Sequence, residues 1–286
     1  MIKKIPKYIL NRFFFVIAVL RLLHHEIFWL FRLKFLKHFL KNNLLRHVLI
    51  ELRSRGVCVI PKYYTKSIME MIRTECRHEL DALSPALKRL KKGMEGDIVL
   101  EDGLNIERYS GSIKIKGPKN QLLNFTCQDR FLMMVAALFC HKIGIPTLIY
   151  HLAHDGSVKH PAIPGSAKVM IANDAHLDSP FHGLKVFTAL EKINAENAPF
   201  VCLEQSSTDI SILRKRVNHL MKLQGWYDGE KSPHCIEDNL LKKLLKKYRS
   251  FKGTIQPGDL VLFDTCNVHF PSELYSGKRS MIWLYY

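Results

Sequence analysis

Apolar and polar positions follow two regimes along this chain, and they meet near residue 50. Up to that point apolar residues are dense, yet the longest run free of charge, Phe13 to Leu20, is only eight residues. A bilayer span needs about 20. The pattern there predicts helix. On a helical wheel Lys34, Lys37 and Lys41 share one side while Phe35, Leu36, Phe39 and Leu40 cover the other, as in a helix lying on an anionic membrane. Arg21 and Arg32 fall among the apolar positions, so packing on the domain or a partner, or a true span, stays open. A secretory leader would fit the basic start, but no small-residue cleavage site follows.

Beyond the arm, Gly56-Val-Cys-Val-Ile-Pro61 reads as a short strand ended by proline, and Thr65 caps a helix through Leu83. Ser84 to Gly103 reads as a loop, and Phe131 to Ile143 as a buried helix. The texture then turns β-like. Short apolar or alternating runs occupy 147–152, 168–173, 184–190, 200–204, 259–263 and 280–286, separated by Gly, Pro, Asn and Ser. Six such runs imply a sheet sandwich or open barrel. Helical periodicity over 210–223 and 236–251 interrupts them, giving a helical insertion at about 210–252. We therefore divide the chain into a basic apolar arm, 1–47, and a domain, 48–286.

Charge sharpens this division. The 286 residues carry a formal +17, and 1–62 hold thirteen basic residues against Glu26 and Glu51, so the surplus belongs mainly to the arm. It favours an anionic partner; no aromatic-basic recognition motif points to nucleic acid. Seven cysteines without a C-x-x-C pair argue against a disulfide framework or a cysteine zinc site and for a reducing, cytoplasmic location, with peripheral membrane association through the arm.

The candidate chemistry lies in the β-rich region. His176-Leu177-Asp178 places two ligand-type side chains at alternate positions of an extended segment, hence on one face. His269 follows the run 259–263, and Arg279 opens the last strand ten residues later, after the Ser276-Gly277 turn. Two histidines and one carboxylate form a face that leaves positions open on Fe(II). An arginine fork suits a carboxylate, such as the far one of 2-oxoglutarate, and a hairpin would return it beside the metal. With 14 histidines in the chain an isolated H-x-D triplet is weak; the order of strands, triplet, histidine and arginine gives it weight.

The segments Gly56 to Pro61, Asn173-Asp-Ala-His-Leu-Asp178, Lys185-Val-Phe-Thr-Ala-Leu190, Glu196-Asn-Ala-Pro-Phe200 and Gly258-Asp-Leu-Val-Leu-Phe-Asp264 through His269 and Arg279 resemble the phytanoyl-CoA dioxygenase family. The likeness runs from about residue 50 to the C-terminus. It implies an α+β chain with a double-stranded β-helix core of the jelly-roll or cupin type, flanking helices, and the helical arm added. It also implies Fe(II), O2 and 2-oxoglutarate, with ascorbate as a stimulant, and hydroxylation of a small-molecule or acyl/lipid-type substrate with release of succinate and CO2. By this resemblance His176, Asp178 and His269 are the catalytic metal ligands, Arg279 anchors 2-oxoglutarate, and Phe187 lines the co-substrate where many members have tryptophan. Retention of Asp178 speaks against a halogenase.

The departures are local. Gln205-Ser206-Ser207 stands where members often have Gly-Ser-His, Pro271 stands where a serine would contact 2-oxoglutarate, and Ser272 is its nearest substitute. The arm has no counterpart in the family pattern. The rival reading from another class is a non-catalytic, membrane-associated binding module that keeps the fold.

Overall fold

The computed structural model describes residues 7–39, 41–89, 96–99, 105–109, 112–116, 126, 129–142, 144, 146–154, 175–197, 199–226, 233–272 and 278–286. Helices α1 (Lys7–Phe39) and α2 (Asn43–Ser54) open the chain, followed by β1 (Val57–Ile60) and α3 (Lys66–Arg89). Asn42 caps α2 by accepting from Leu45 N at 3.0 Å, and Thr65 Oγ1 accepts from Ile68 N at 3.3 Å at the start of α3. Strands β2 (Gly96–Val99), β3 (Asn105–Tyr109) and β4 (Ser112–Lys116) then precede α4 (Arg130–Cys140) and β5 (Thr147–His154). After these come β6 (Leu184–Ala189), β7 (Phe200–Leu203), α5 (Ile210–Leu223), α6 (Asp238–Lys247), β8 (Ser250–Gly253), β9 (Leu260–Asp264), β10 (His269–Pro271) and β11 (Lys278–Tyr285).

The strands form two antiparallel sheets, one ordered β1-β9-β6-β11-β5-β4-β3-β2 and one ordered β10-β7-β8. Alternation along β6, β9 and β11 sends Phe187, Ala189, Val261, Phe263, Met281 and Trp283 to the space between the sheets, where they meet Phe200 of β7. The opposite side chains, including Val186, Leu262 and Ile282, pack on Leu45 and Leu52 of α2 and on Val135 and Phe139 of α4. This is the double-stranded β-helix core with flanking helices. The insertion helices cover the small sheet through Leu203, Ile212, Leu244 and Val268.

Three expectations shift. The stretch read as a loop after Ser84 continues α3 to Arg89, and its later part holds β2. Strand β4, paired with β3, carries the alternation Ile113-Lys-Ile115-Lys, which sequence reading missed. Helix α6 ends at Lys247, because Ser250 to Gly253 pairs with β7. The expected strand at 168–173 and the turn at Ser276-Gly277 lie outside the described residues.

Helix α1 docks on the domain. Ala18 and Leu22 pack with Val217, Leu220 and Met221 of α5, and Trp29 joins the main core with its indole donating to Phe139 O at 3.0 Å. Helix α2 runs unbroken through residues 47 and 48, with Leu45 and Val48 in one cluster. The division drawn after residue 47 therefore falls inside a helix. By length and composition, 11–32 of α1 is also long and apolar enough to cross a membrane.

Candidate metal centre

The H-x-D triplet is held as a short extended segment between two other pieces of chain. His176 and His269 exchange both backbone hydrogen bonds at 3.1 Å. Leu177 N donates to His234 O at 3.0 Å, and Asp178 N to Thr265 O at 3.2 Å. Ala175 and Leu177 turn into the apolar cluster beneath the insertion helices, which leaves His176 and Asp178 to share the other face. The alternation expected from the sequence is what the backbone adopts.

The candidate ligand atoms of His176, Asp178 and His269 all lie within 4.8 Å of one another. His269 Nε2 is 2.9 Å from Asp178 Oδ2, and His176 Nε2 is 3.5 Å from Asp178 Oδ1. His269 Nδ1 is 2.9 Å from the carbonyl of Asn267. A carbonyl only accepts, so Nδ1 carries the proton and Nε2 presents its lone pair when the ring is neutral. Burial lowers the pKa of His269 against the pull of Asp178, which favours that neutral ring. An imidazole lone pair facing a carboxylate oxygen at 2.9 Å calls for a cation between them, so the donor set fits a divalent metal.

Lys185, from β6, also reaches this carboxylate, with Nζ 2.6 Å from Asp178 Oδ2 and 4.0 Å from the centre of the Tyr285 ring. Burial alone would raise the Asp178 pKa, but positive charge beside it, from His269 whenever that ring is protonated and from Lys185, holds it well below the usual carboxylate range. A lysine inside an otherwise apolar strand was the sequence signal for this contact.

The remaining predicted residues line the interior wall. Phe187 lies 4.5 Å from Trp283 and 5.2 Å from Phe200 between ring centroids, and Phe200 is 5.8 Å from His269. Arg279 shares the interior-facing parity of Met281 and Trp283 on β11 and is 2% exposed. Its burial draws its pKa down to about 10. The register sets its Cα four residues from Trp283, roughly 13 Å along the strand. Ser272 Oγ is buried with no hydrogen-bond partner among the described residues.

The loop carrying His269 is braced from behind. Ser206 Oγ accepts from Val268 N at 2.8 Å, and Asn267 Oδ1 accepts from Ser207 N at 3.1 Å. Gln205 occupies a left-handed backbone conformation, φ 61°, which glycine adopts more readily. Gly56, at φ 78°, lies so close that a Cβ there would collide with the Asn267 amide.

A second polar cluster joins α1 to the same loops. His182 Nδ1 lies 2.5 Å from Asp264 Oδ2, and its Nε2 lies 3.1 Å from Glu26 Oε2. Arg216 of α5 donates to Glu26 Oε1 and to the Pro180 carbonyl, the latter at 2.8 Å. Trp29 stacks on the His182 ring at 3.7 Å. Sequence reading missed this network, because each charge taken singly resembles a surface residue.

Two openings flank the centre. A cavity of about 410 Å³ is lined by Asp178, Lys185, His182, Tyr285, His25 and Phe181 among others. A more open groove of about 520 Å³ runs along α1 between Ile17, Leu20, Arg21, His24, His25 and Phe181. His25 and Phe181 border both.

No protein-family model and no curated protein matches the sequence. Solved structures do match the fold. The non-heme alpha ketoglutarate dependent epimerase SnoN from nogalamycin biosynthesis aligns over 85% of this chain and 82% of its own, at 11% identity and a TM-score of 0.53. The chain shares its fold. EctD from S. alaskensis, solved with 2-oxoglutarate and 5-hydroxyectoine, aligns over 82% of this chain and 73% of its own at 14% identity and a TM-score of 0.52. HygX from Streptomyces hygroscopicus, solved with nickel and 2-oxoglutarate, gives 84%, 85%, 13% and 0.51 in the same order.

Proposed function

We propose that this chain is an Fe(II)- and 2-oxoglutarate-dependent dioxygenase that hydroxylates a small-molecule or acyl/lipid-type substrate, releasing succinate and CO2. The observation that carries the reading is the His176, Asp178, His269 group, gathered within 4.8 Å in a double-stranded β-helix. These three would hold the iron. Arg279, a cation buried on the interior wall, would pair with the far carboxylate of 2-oxoglutarate, and the Ser272 hydroxyl, without a partner among the described residues, would supply a further donor.

The bound iron would supply activation of O2 for attack on an unreactive C–H bond. The chain's own part is orientation and dryness. Asn267 fixes the His269 ring through its carbonyl, in the way partners of ligand histidines set their tautomer. Phe187, Phe200, Phe263 and Trp283 exclude water from the barrel interior. The cavity beside Asp178 and the apolar groove leading away past Phe181 suit a substrate with a polar head and an apolar body. The buried, reduced thiols of Cys58, Cys140, Cys202 and Cys266 suit a cytoplasmic setting.

The rival, a non-catalytic membrane-associated module, draws on the Lys185 contact, because an ammonium at 2.6 Å neutralises Asp178 without a metal. Metal content decides between them. Purified protein loaded anaerobically should bind one Fe(II) and, once O2 is admitted, turn over 2-oxoglutarate to succinate and CO2 in the presence of ascorbate. His176→Ala and His269→Ala should each lose both properties. Full Fe(II) binding by both variants, or absence of metal from the parent protein, would overturn the assignment.

A further inference from the structure

Helix α1 is apolar on two sides. Ala18, Leu22 and Trp29 bury one side against the domain. On the other, Phe13, Val16, Leu20, Leu23, Ile27 and Phe31 recur every three or four residues and are 51 to 71% exposed. A contiguous apolar stripe of this length on a surface marks a docking site.

Charge selects the occupant. Glu26 is the single acidic residue before Glu51, and it is turned inward to Arg216 and His182. The outward side of α1 thus carries Arg12, His24 and Lys34 with no negative charge. A second copy of the helix would meet this face with positive against positive. Withdrawal of α1 to span a bilayer would strip Arg216, 1% exposed, of its counter-ion and place Glu26 in hydrocarbon. An anionic lipid surface avoids both costs, since it takes up the stripe, pairs with the cations and leaves the Glu26 contacts intact.

We propose that the outer face of α1 lies in the headgroup region of an anionic lipid leaflet, with its apolar stripe in the acyl boundary and its inner face still clamped to the domain. The groove between Ile17, Leu20, His24 and Phe181 opens along the same helix, so the docked molecule holds this groove at the lipid surface.

The test is sedimentation of the full chain with vesicles of phosphatidylcholine alone or mixed three to one with phosphatidylserine. Sedimentation with the mixed vesicles at low salt and release at high salt are expected. The triple variant Leu20→Gln, Ile27→Gln, Phe31→Gln should lose this binding while keeping its melting temperature, because all three side chains are exposed. Arg12→Gln and Lys34→Gln should each weaken partition roughly fivefold, which keeps the proposal falsifiable if the triple variant misfolds. Equal binding to both vesicle types, salt-resistant binding, no binding to either, or a dimer abolished by the triple variant would overturn it. Sedimentation requires neither iron nor 2-oxoglutarate, so its outcome is independent of the dioxygenase reading.

Discussion

Replacing Glu26 by glutamine tests how firmly the N-terminal helix belongs to the domain. The carboxylate bridges His182 and Arg216, whose side chains are 3% and 1% exposed, while its own side chain is 22% exposed. Burial alone would raise its pKa, but hydrogen bonding and the charges of His182 and Arg216 lower it from 4.5 to about 2. At 1.36 kcal/mol per pKa unit this corresponds to roughly 3 kcal/mol of native-state stabilisation. Removing one member of a buried pair costs about 3 to 5 kcal/mol, so the two routes agree. Glu26→Gln should therefore lower the melting temperature by roughly 6 to 12 °C at pH 7, measured by circular dichroism. The depressed carboxyl contributes fully above pH 4.5 and loses its contribution as pH falls towards 2. His182, whose pKa is raised above 6.5, contributes below that pH and loses its part on the alkaline side. The gap between parent and variant should be widest between these limits and close in acid. A drop of less than 2 °C, or a gap unchanged in acid, would refute the reasoning.

Other substitutions address the centre and its bracing. Arg279→Lys keeps the charge but loses the planar fork, so the 2-oxoglutarate concentration for half-maximal succinate formation should rise about tenfold or more with Fe(II) binding unchanged; an unchanged titration would assign the anchor elsewhere. Gly56→Ala forces a side chain into a left-handed position against the Asn267 amide, which should cost about 1 to 3 kcal/mol, read as a fall in the urea midpoint. A midpoint equal to the parent's would mean that the loop carrying His269 shifts freely.

The sequence made the candidate metal group legible because its information is local. Alternate spacing in His176-Leu177-Asp178 fixes a shared face once the segment is extended, and the apolar runs around His269 supplied the strand context. Strands β6, β7, β9 and β11 were equally readable, since each is a short apolar run between turn residues. What escaped was non-local. Glu26 meets His182 across 156 positions and Arg216 across 190, and no periodicity couples such residues. Lys185 showed only as a charge inside an apolar strand, which announces a partner without naming it. The left-handed backbone at Gln205 was invisible, because glutamine gives no hint of it.

The paired backbone hydrogen bonds between His176 and His269 also bear on how the molecule is made. They close a loop of 93 residues that contains both insertion helices, and closing a loop of that length has an entropic cost of about 4 kcal/mol by the three-halves logarithmic rule. A nascent chain that has not yet exposed residue 269 lacks the third member of the candidate metal group and cannot assemble it, whatever its earlier strands have done. Ligand capture is thereby deferred until the barrel has closed, and a divalent ion bound there would act as a late clasp, resisting the first opening of the sheet as well as serving the chemistry.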